Sequence, residues 1–153
     1  MAVSPAPAPP QQIFVHATAI AIGKIGVLLL GPSGSGKSDL ALRLIDDGAR
    51  LVADDQVILS RNGERLIANP PPALAGRIEA RGIGIVPLDG GKVWRKMPVW
   101  LAVELVPEDK IERLPEPATR EFLGVTLKLI RLNPFEPSAV AKLKLVAAGI
   151  KRP

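Results

Sequence analysis

Residues 31–38, Gly31-Pro32-Ser33-Gly34-Ser35-Gly36-Lys37-Ser38, restrict this chain more than any other stretch. They fit the pattern G-x-x-x-x-G-K-[ST], in which glycines let backbone N–H groups turn toward phosphate oxygens where a Cβ would obstruct them. Lys37 brings a point charge to the outer phosphates of a nucleotide, and Ser38 offers its hydroxyl to Mg²⁺. The context is the one such a loop needs. An apolar run over 25–30 predicts a strand before it, and Leu40, Leu44 and Ile45 at helical spacing predict a helix over 38–47 after it. Gly48 suits the C-terminus of that helix. The helix adds free N–H groups and the positive end of its dipole to the phosphate side.

The rest of the chain sets the fold class. A β-rich stretch over 13–22 turns at Gly23-Lys24 into the strand before the loop, and 50–53 starts another strand. Runs over 56–60 and 65–68 flank Asn62-Gly63, a strong hairpin signal. A short helical stretch is expected over 73–79, then a glycine-punctuated apolar run over 81–88 and a loop over 89–97. Strands are expected over 99–105 and 125–132, separated by a charged connector over 107–117. A closing helix over 138–148 has Ser138 to cap it and Gly149 to stop it. Helices are too few between strands for a doubly wound sheet. The expected fold is α/β, a mixed β-sheet with few helices. A flexible Pro/Ala tail is expected over 1–12 and one catalytic unit over 13–150.

Composition removes several function classes. The 153 residues fit one domain with a real core, and 47% hydrophobic content reads as globular. There is no cysteine, which excludes disulfides, thiolate metal sites and cysteine nucleophiles. His16 is the sole histidine, which excludes two-histidine metal motifs. No apolar run approaches the roughly 20 residues that span a bilayer, and 1–10 lacks the basic leader and apolar core of a signal peptide. A soluble, cytoplasmic protein is expected. The net charge of +5 lies entirely in 125–153, where six cations face Glu136. That basic end is either a solvated face or a surface for an acidic protein or nucleic acid. Aromatic residues make up only 3% of the chain, which speaks against nucleic acid.

Asp54 and Asp55 close the strand beside the loop. Adjacent residues on a strand point to opposite faces, so the two should do different jobs. One is suited to take a proton from an acceptor hydroxyl, the other to reach Mg²⁺ or support the loop. A hydrophilic strand end is the plainer alternative. Glu79-Ala80-Arg81-Gly82-Ile83-Gly84-Ile85 puts an acid ahead of two glycines, where Glu79 could complete a metal site with Ser38; a helix end followed by a strand fits equally well. His16 on an apolar strand reads by default as a structural histidine.

Taken together, His16, the loop 31–38, Leu51-Val52-Ala53-Asp54-Asp55 and Glu79-Ala80-Arg81-Gly82-Ile83-Gly84-Ile85 resemble the catalytic domain of HPr kinase/phosphorylase in order and spacing. The resemblance covers 13–88 firmly and fades toward 148. It implies a P-loop core akin to phosphoenolpyruvate carboxykinase and a homo-oligomer, hexameric in the family. It also implies a serine kinase that uses ATP and Mg²⁺ on the phosphocarrier HPr, with no nucleic acid or membrane partner. Carried over by motif, Lys37 and the loop amides hold the triphosphate, and Ser38 and Glu79 bind Mg²⁺. Asp54 takes the serine proton, Asp55 assists, and His16 stands with the acids. The family has His-Gly where this chain has His16-Ala17, and an N-terminal domain for which only the Pro/Ala stretch stands here. Its Arg-Pro-Gly-Arg-like run, tied to phosphorolysis, is replaced by Arg131-Leu132-Asn133-Pro134-Phe135-Glu136-Pro137, leaving Arg131 as the arginine available. Kinase activity is thus better supported than the reverse reaction. Two rival readings are a small-molecule kinase, for which Arg113 and Arg120 are poor lid residues, and a nucleotide sensor without turnover.

Overall fold

The structure, a computed structural model, describes residues 11–151. The tail expected over 1–12 lies almost wholly outside these residues, and Gln12 already pairs with Ser60 in a strand. In chain order the elements are β1 (Gln12–Val15), β2 (Thr18–Ile22), β3 (Ile25–Leu30), α1 (Lys37–Asp46), β4 (Arg50–Ala53), β5 (Val57–Asn62) and β6 (Arg65–Asn69). They continue as β7 (Arg77–Ala80), β8 (Gly84–Pro87), β9 (Met97–Leu105), β10 (Ala118–Phe122), β11 (Val125–Leu132) and α2 (Ala139–Ala148). Nine strands form one mixed sheet, and β7 and β8 form a separate hairpin. Mixed pairing with two α-helices among the described residues is the expected class.

The long strand β9 organises the sheet. Its first residues pair antiparallel with β6, and from Val99 onward it runs parallel to β3. On the β6 side its second half, Leu101–Leu105, runs parallel to β11. The resulting order across the middle is β11-β9-β3-β2-β4. Alternation along these strands serves two cores. Ile20, Val27, Leu29, Leu101 and Val103 pack with Leu40, Leu44 and Leu143 of the helices. Ala19, Leu28, Val52 and Ala102 face the other way, toward Leu59 and Leu66 of the β5–β6 hairpin and Leu127 and Leu129 of β11. The sheet therefore curls so that hairpins cover the face without helices.

Gly26 marks the tightest point of this arrangement. A Cβ there would lie 2.2 Å from the Pro98 carbonyl oxygen, a backbone atom, at the place where the β3–β9 register shifts. Backbone in the sheet centre cannot step aside as a side-chain tip can. Gly26→Ala should cost more than about 3 kcal/mol, read by denaturant unfolding. Unchanged stability would mean that the strands separate freely here.

Several local expectations change. The stretch 73–79 is not helical: Pro72–Leu74 makes a single 3-10 turn, Gly76 turns the chain at φ 72°, and Arg77–Ala80 pairs with Gly84–Pro87. Alanine, leucine and glutamate favour helix only weakly, and burial of Ile78 against the helix-side core prevails. The β5–β6 turn is Gly63-Glu64, with Asn62 already paired to Arg65. The strand β10, unassigned from sequence, joins β11 through Leu123-Gly124, both at positive φ as a type I′ turn requires. Ser138 makes no side-chain cap to α2, and Gly149 is right-handed at φ −82°. No helix among the described residues is long and apolar enough to cross a membrane.

Candidate active site

The loop after β3 turns at Gly36, whose φ of 98° suits glycine, and α1 starts at the next residue. No side chain caps this start, so the first amides of the helix, beginning at Lys37 and Ser38, have neither an intrahelical nor a capping acceptor. Ser35 Oγ is buried without a hydrogen-bond partner, unique in this among the side chains of the described residues. Unpaired amides at a helix start, beside a hydroxyl without a partner, suit an anion with several oxygens. Lys37 Nζ donates to the carbonyls of Gly31 (2.6 Å) and Pro32 (2.9 Å), which holds the ammonium over the loop. Burial keeps Lys37 below the usual lysine range, and the charges of Asp55 and Asp54 oppose part of that shift.

The strand end after β4 supplies the acids. Asp54 is only 6% exposed. Its Oδ1 accepts from Thr18 Oγ1 (3.0 Å) and Ser38 Oγ (2.7 Å), and its Oδ2 accepts from the Glu79 amide (3.0 Å). One carboxylate thus ties β2, α1 and β7 together. A charged acceptor with three donors is well satisfied where it is buried, and little of it is left to meet an incoming hydroxyl.

Asp55 is the opposite case. Its φ is 68°, and the Gln56 amide bonds the Asp54 carbonyl across it at 2.8 Å, a γ-turn of the rarer, strained hand. The Asp55 carbonyl in turn accepts from the Ala17 amide at 3.2 Å, pinning the bend between β1 and β2. The turn throws the Asp55 carboxylate outward, 63% exposed, with Oδ1 3.5 Å from His16 Nδ1. His16 is half exposed on that bend and is no core residue.

The sequence-predicted residues therefore divide. Lys37, Ser38, Asp54, Asp55 and His16 come together around the loop. The backbone of Glu79 joins them, and its side chain is exposed. Arg131 contacts none of them: it lies on β11, two strand spacings from β3 and its loop, about 10 Å along the sheet, with Nε 3.6 Å from Glu104 Oε1. Among the described residues no three His, Asp or Glu side chains cluster as a self-sufficient metal site. Thr18 was missed from sequence, since a threonine in an apolar strand carries no signal of the carboxylate it meets. The wall formed by Pro134 and Phe135 was missed too. A Cβ on Gly36 would sit 3.0 Å from the Phe135 ring and 3.1 Å from Pro134.

Residues 9–148 match the family described as HPr Serine kinase C-terminal domain. The chain is 40% identical over 128 residues to a protein of Bordetella petrii named HPr kinase/phosphorylase, covering 78% of this chain and 42% of that one. A protein of the same name from Chlorobium phaeobacteroides is 39% identical over 131 residues, covering 80% and 38%. The chain thus spans about two-fifths of the length of the curated relatives it matches. Among solved structures, the HPr(Ser) kinase/phosphatase from Coxiella burnetii superposes with a TM-score of 0.80 at 29% identity, covering 89% of this chain and 94% of that one. With a family match over residues 9–148 and relatives about 40% identical over most of its length, this chain belongs to the HPr serine kinase C-terminal domain family.

Proposed function

We propose that residues 13–150 form the catalytic domain of a Mg²⁺-dependent cytoplasmic kinase that transfers the γ-phosphate of ATP to a serine of the phosphocarrier HPr. The observation that carries this reading is the pair of neighbouring carboxylates with opposite surroundings, one holding Ser38 and the other open beside His16. The names of the relatives supply the acceptor.

The residues present fit the groups this reaction needs. The uncapped start of α1, the unpartnered Ser35 hydroxyl and Lys37 fit a chain of phosphates. Ser38 donates its proton to Asp54, which leaves its lone pairs for a cation. Mg²⁺ characteristically takes few protein ligands and relies on phosphate oxygens and water, which fits Ser38 and Glu79 as its protein partners. When bound, the ion neutralises charge on the phosphates.

Asp55, rather than Asp54, is the proton acceptor in this reading. Asp54 is buried with three donors, while Asp55 is exposed and free to meet a hydroxyl. As the serine oxygen bonds to the γ-phosphorus and the bond to the β,γ-bridging oxygen breaks, the serine proton passes to Asp55. ADP leaves with the bridging oxygen. His16, 3.5 Å from Asp55, orients that carboxylate. Lys37 and the loop amides hold the phosphates in line. Arg131, half exposed and 3.6 Å from Glu104 on the neighbouring strand, is assigned no proton or phosphate in this reading.

The test incubates the chain with Mg²⁺, γ-labelled ATP and purified HPr, then locates the label by mass spectrometry. Label on an HPr serine is the expected result. Tight ATP binding without transfer to HPr would replace the kinase by a nucleotide sensor or by a kinase with another acceptor.

A further inference from the structure

Phe135 is 68% exposed, yet it is not on a loose segment. It lies in the connection from β11 to α2, between Pro134 and Glu136-Pro137. The Asn133 side chain accepts from the Phe135 amide at 3.0 Å, and the Pro134 carbonyl accepts from the Arg43 guanidinium on α1. Lys142 of α2 holds Glu136 at 2.5 Å. The ring is thus exposed on a backbone fixed on both sides, and its edge lies so near Gly36, the last glycine of the loop, that a Cβ there would meet it at 3.0 Å.

Its side of the loop matters. In the order β11-β9-β3-β2-β4, the loop leaves the middle strand, the acids follow β4, and Phe135 follows β11. Asp54 and Asp55 therefore stand on one side of the loop and Phe135 on the other. A nucleoside triphosphate has its transferable phosphate at one end and its base at the other. With the transferable end at Asp55, the nucleoside end lies on the side of Phe135.

We infer that Phe135 is the stacking platform for the nucleobase of the bound triphosphate. This rests on the nucleotide-binding reading above and adds the subsite that reading leaves open. A ring face offers flat π contact and no hydrogen-bond code, so it accepts adenine and guanine alike. The Phe135 ring needs no rearrangement to serve, because the Arg43, Asn133 and Lys142 contacts set the loop in advance. A protein acceptor is a weaker occupant for this ring, since the acceptor hydroxyl must approach the Asp55 side.

The experiment measures dissociation constants of ATP, GTP and inorganic tripolyphosphate, each with Mg²⁺, by calorimetry on the whole chain. Wild type, Phe135→Ala and Phe135→Trp are compared. Phe135→Ala should weaken ATP and GTP about tenfold and leave tripolyphosphate within about twofold, while Phe135→Trp keeps wild-type affinity for all three. Equal loss of tripolyphosphate, or no loss of ATP, would overturn the inference. So would a change confined to the KM for HPr, which would assign the ring to the protein acceptor. A wild-type chain that binds tripolyphosphate no more weakly than ATP overturns the base subsite alone. One that binds none of the three overturns the nucleotide reading beneath it.

Discussion

Asp55→Asn should lower phosphoryl transfer to HPr by a hundredfold or more, on the order expected for a lost general base, while ATP affinity stays within about a factor of two. The amide keeps the size of the side chain and tolerates the positive φ of 68° at this residue, so the turn survives and the proton acceptor does not. Asp54→Asn should behave differently. Asp54 receives Thr18, Ser38 and the Glu79 amide in a buried site, and an amide turns one of its two accepting oxygens into a donor. At least one donor then loses its acceptor, which costs about 2 kcal/mol of stability, and Mg²⁺-dependent ATP binding weakens as Ser38 loses its orientation. Single-turnover transfer of label, read beside thermal unfolding of each variant, separates the two. Wild-type transfer by Asp55→Asn would remove that residue from the chemistry, and loss of transfer in Asp54→Asn at unchanged stability would return the proton to Asp54.

Lys37→Met should reduce transfer by a hundredfold or more, because it removes the one charged donor in the loop from the phosphates. The same lysine sets a pH trend. Burial penalises its ammonium in the folded chain, so the folded state releases this proton at lower pH than the unfolded chain does. Below that lowered value the charged lysine costs the fold stability. The cost disappears as pH climbs from the lowered value to the ordinary lysine range. Nucleotide affinity should fall across the same alkaline window. Lys37→Met should lack both trends, which chemical unfolding and ATP titration at a series of pH values would show. Parallel pH profiles in wild type and variant would separate Lys37 from both.

How much of this could be read from the sequence depended on the distance between partners. The strand, the glycine loop and α1 were legible because their cause is local: an apolar strand, glycines, then apolar positions at helical spacing. That the two adjacent acids would have different surroundings was also legible, although the cause is the γ-turn at Asp55 beyond the end of β4 and not strand alternation. Which acid is buried was not. That outcome rests on Thr18, Ser38 and Glu79, which reach Asp54 from 36, 16 and 25 positions away. The segment 73–79 failed in the same way, since its residues have helical leanings and only the β7–β8 pairing and the cover over Ile78 make it extended. The strand β10 has three exposed residues in five, so its hydrophobic pattern is thin, and it exists through pairing with β11. Phe135 looked like one apolar residue among prolines until the chain brought it against Gly36.

The three partners of β9 carry a consequence for how the chain comes to be folded during its synthesis. While only residues 1–96 exist, β2, β3, β4 and α1 can meet and β5 can pair with β6, but the open edges of β3 and β6 wait for a strand not yet made. That strand then joins residues more than 70 positions apart, such as Gly26 and Val99, so closing the chain is entropically slow. A nascent chain of this protein displays an unpaired, fully apolar strand edge until β9 arrives, which makes that interval the time when it most needs a chaperone.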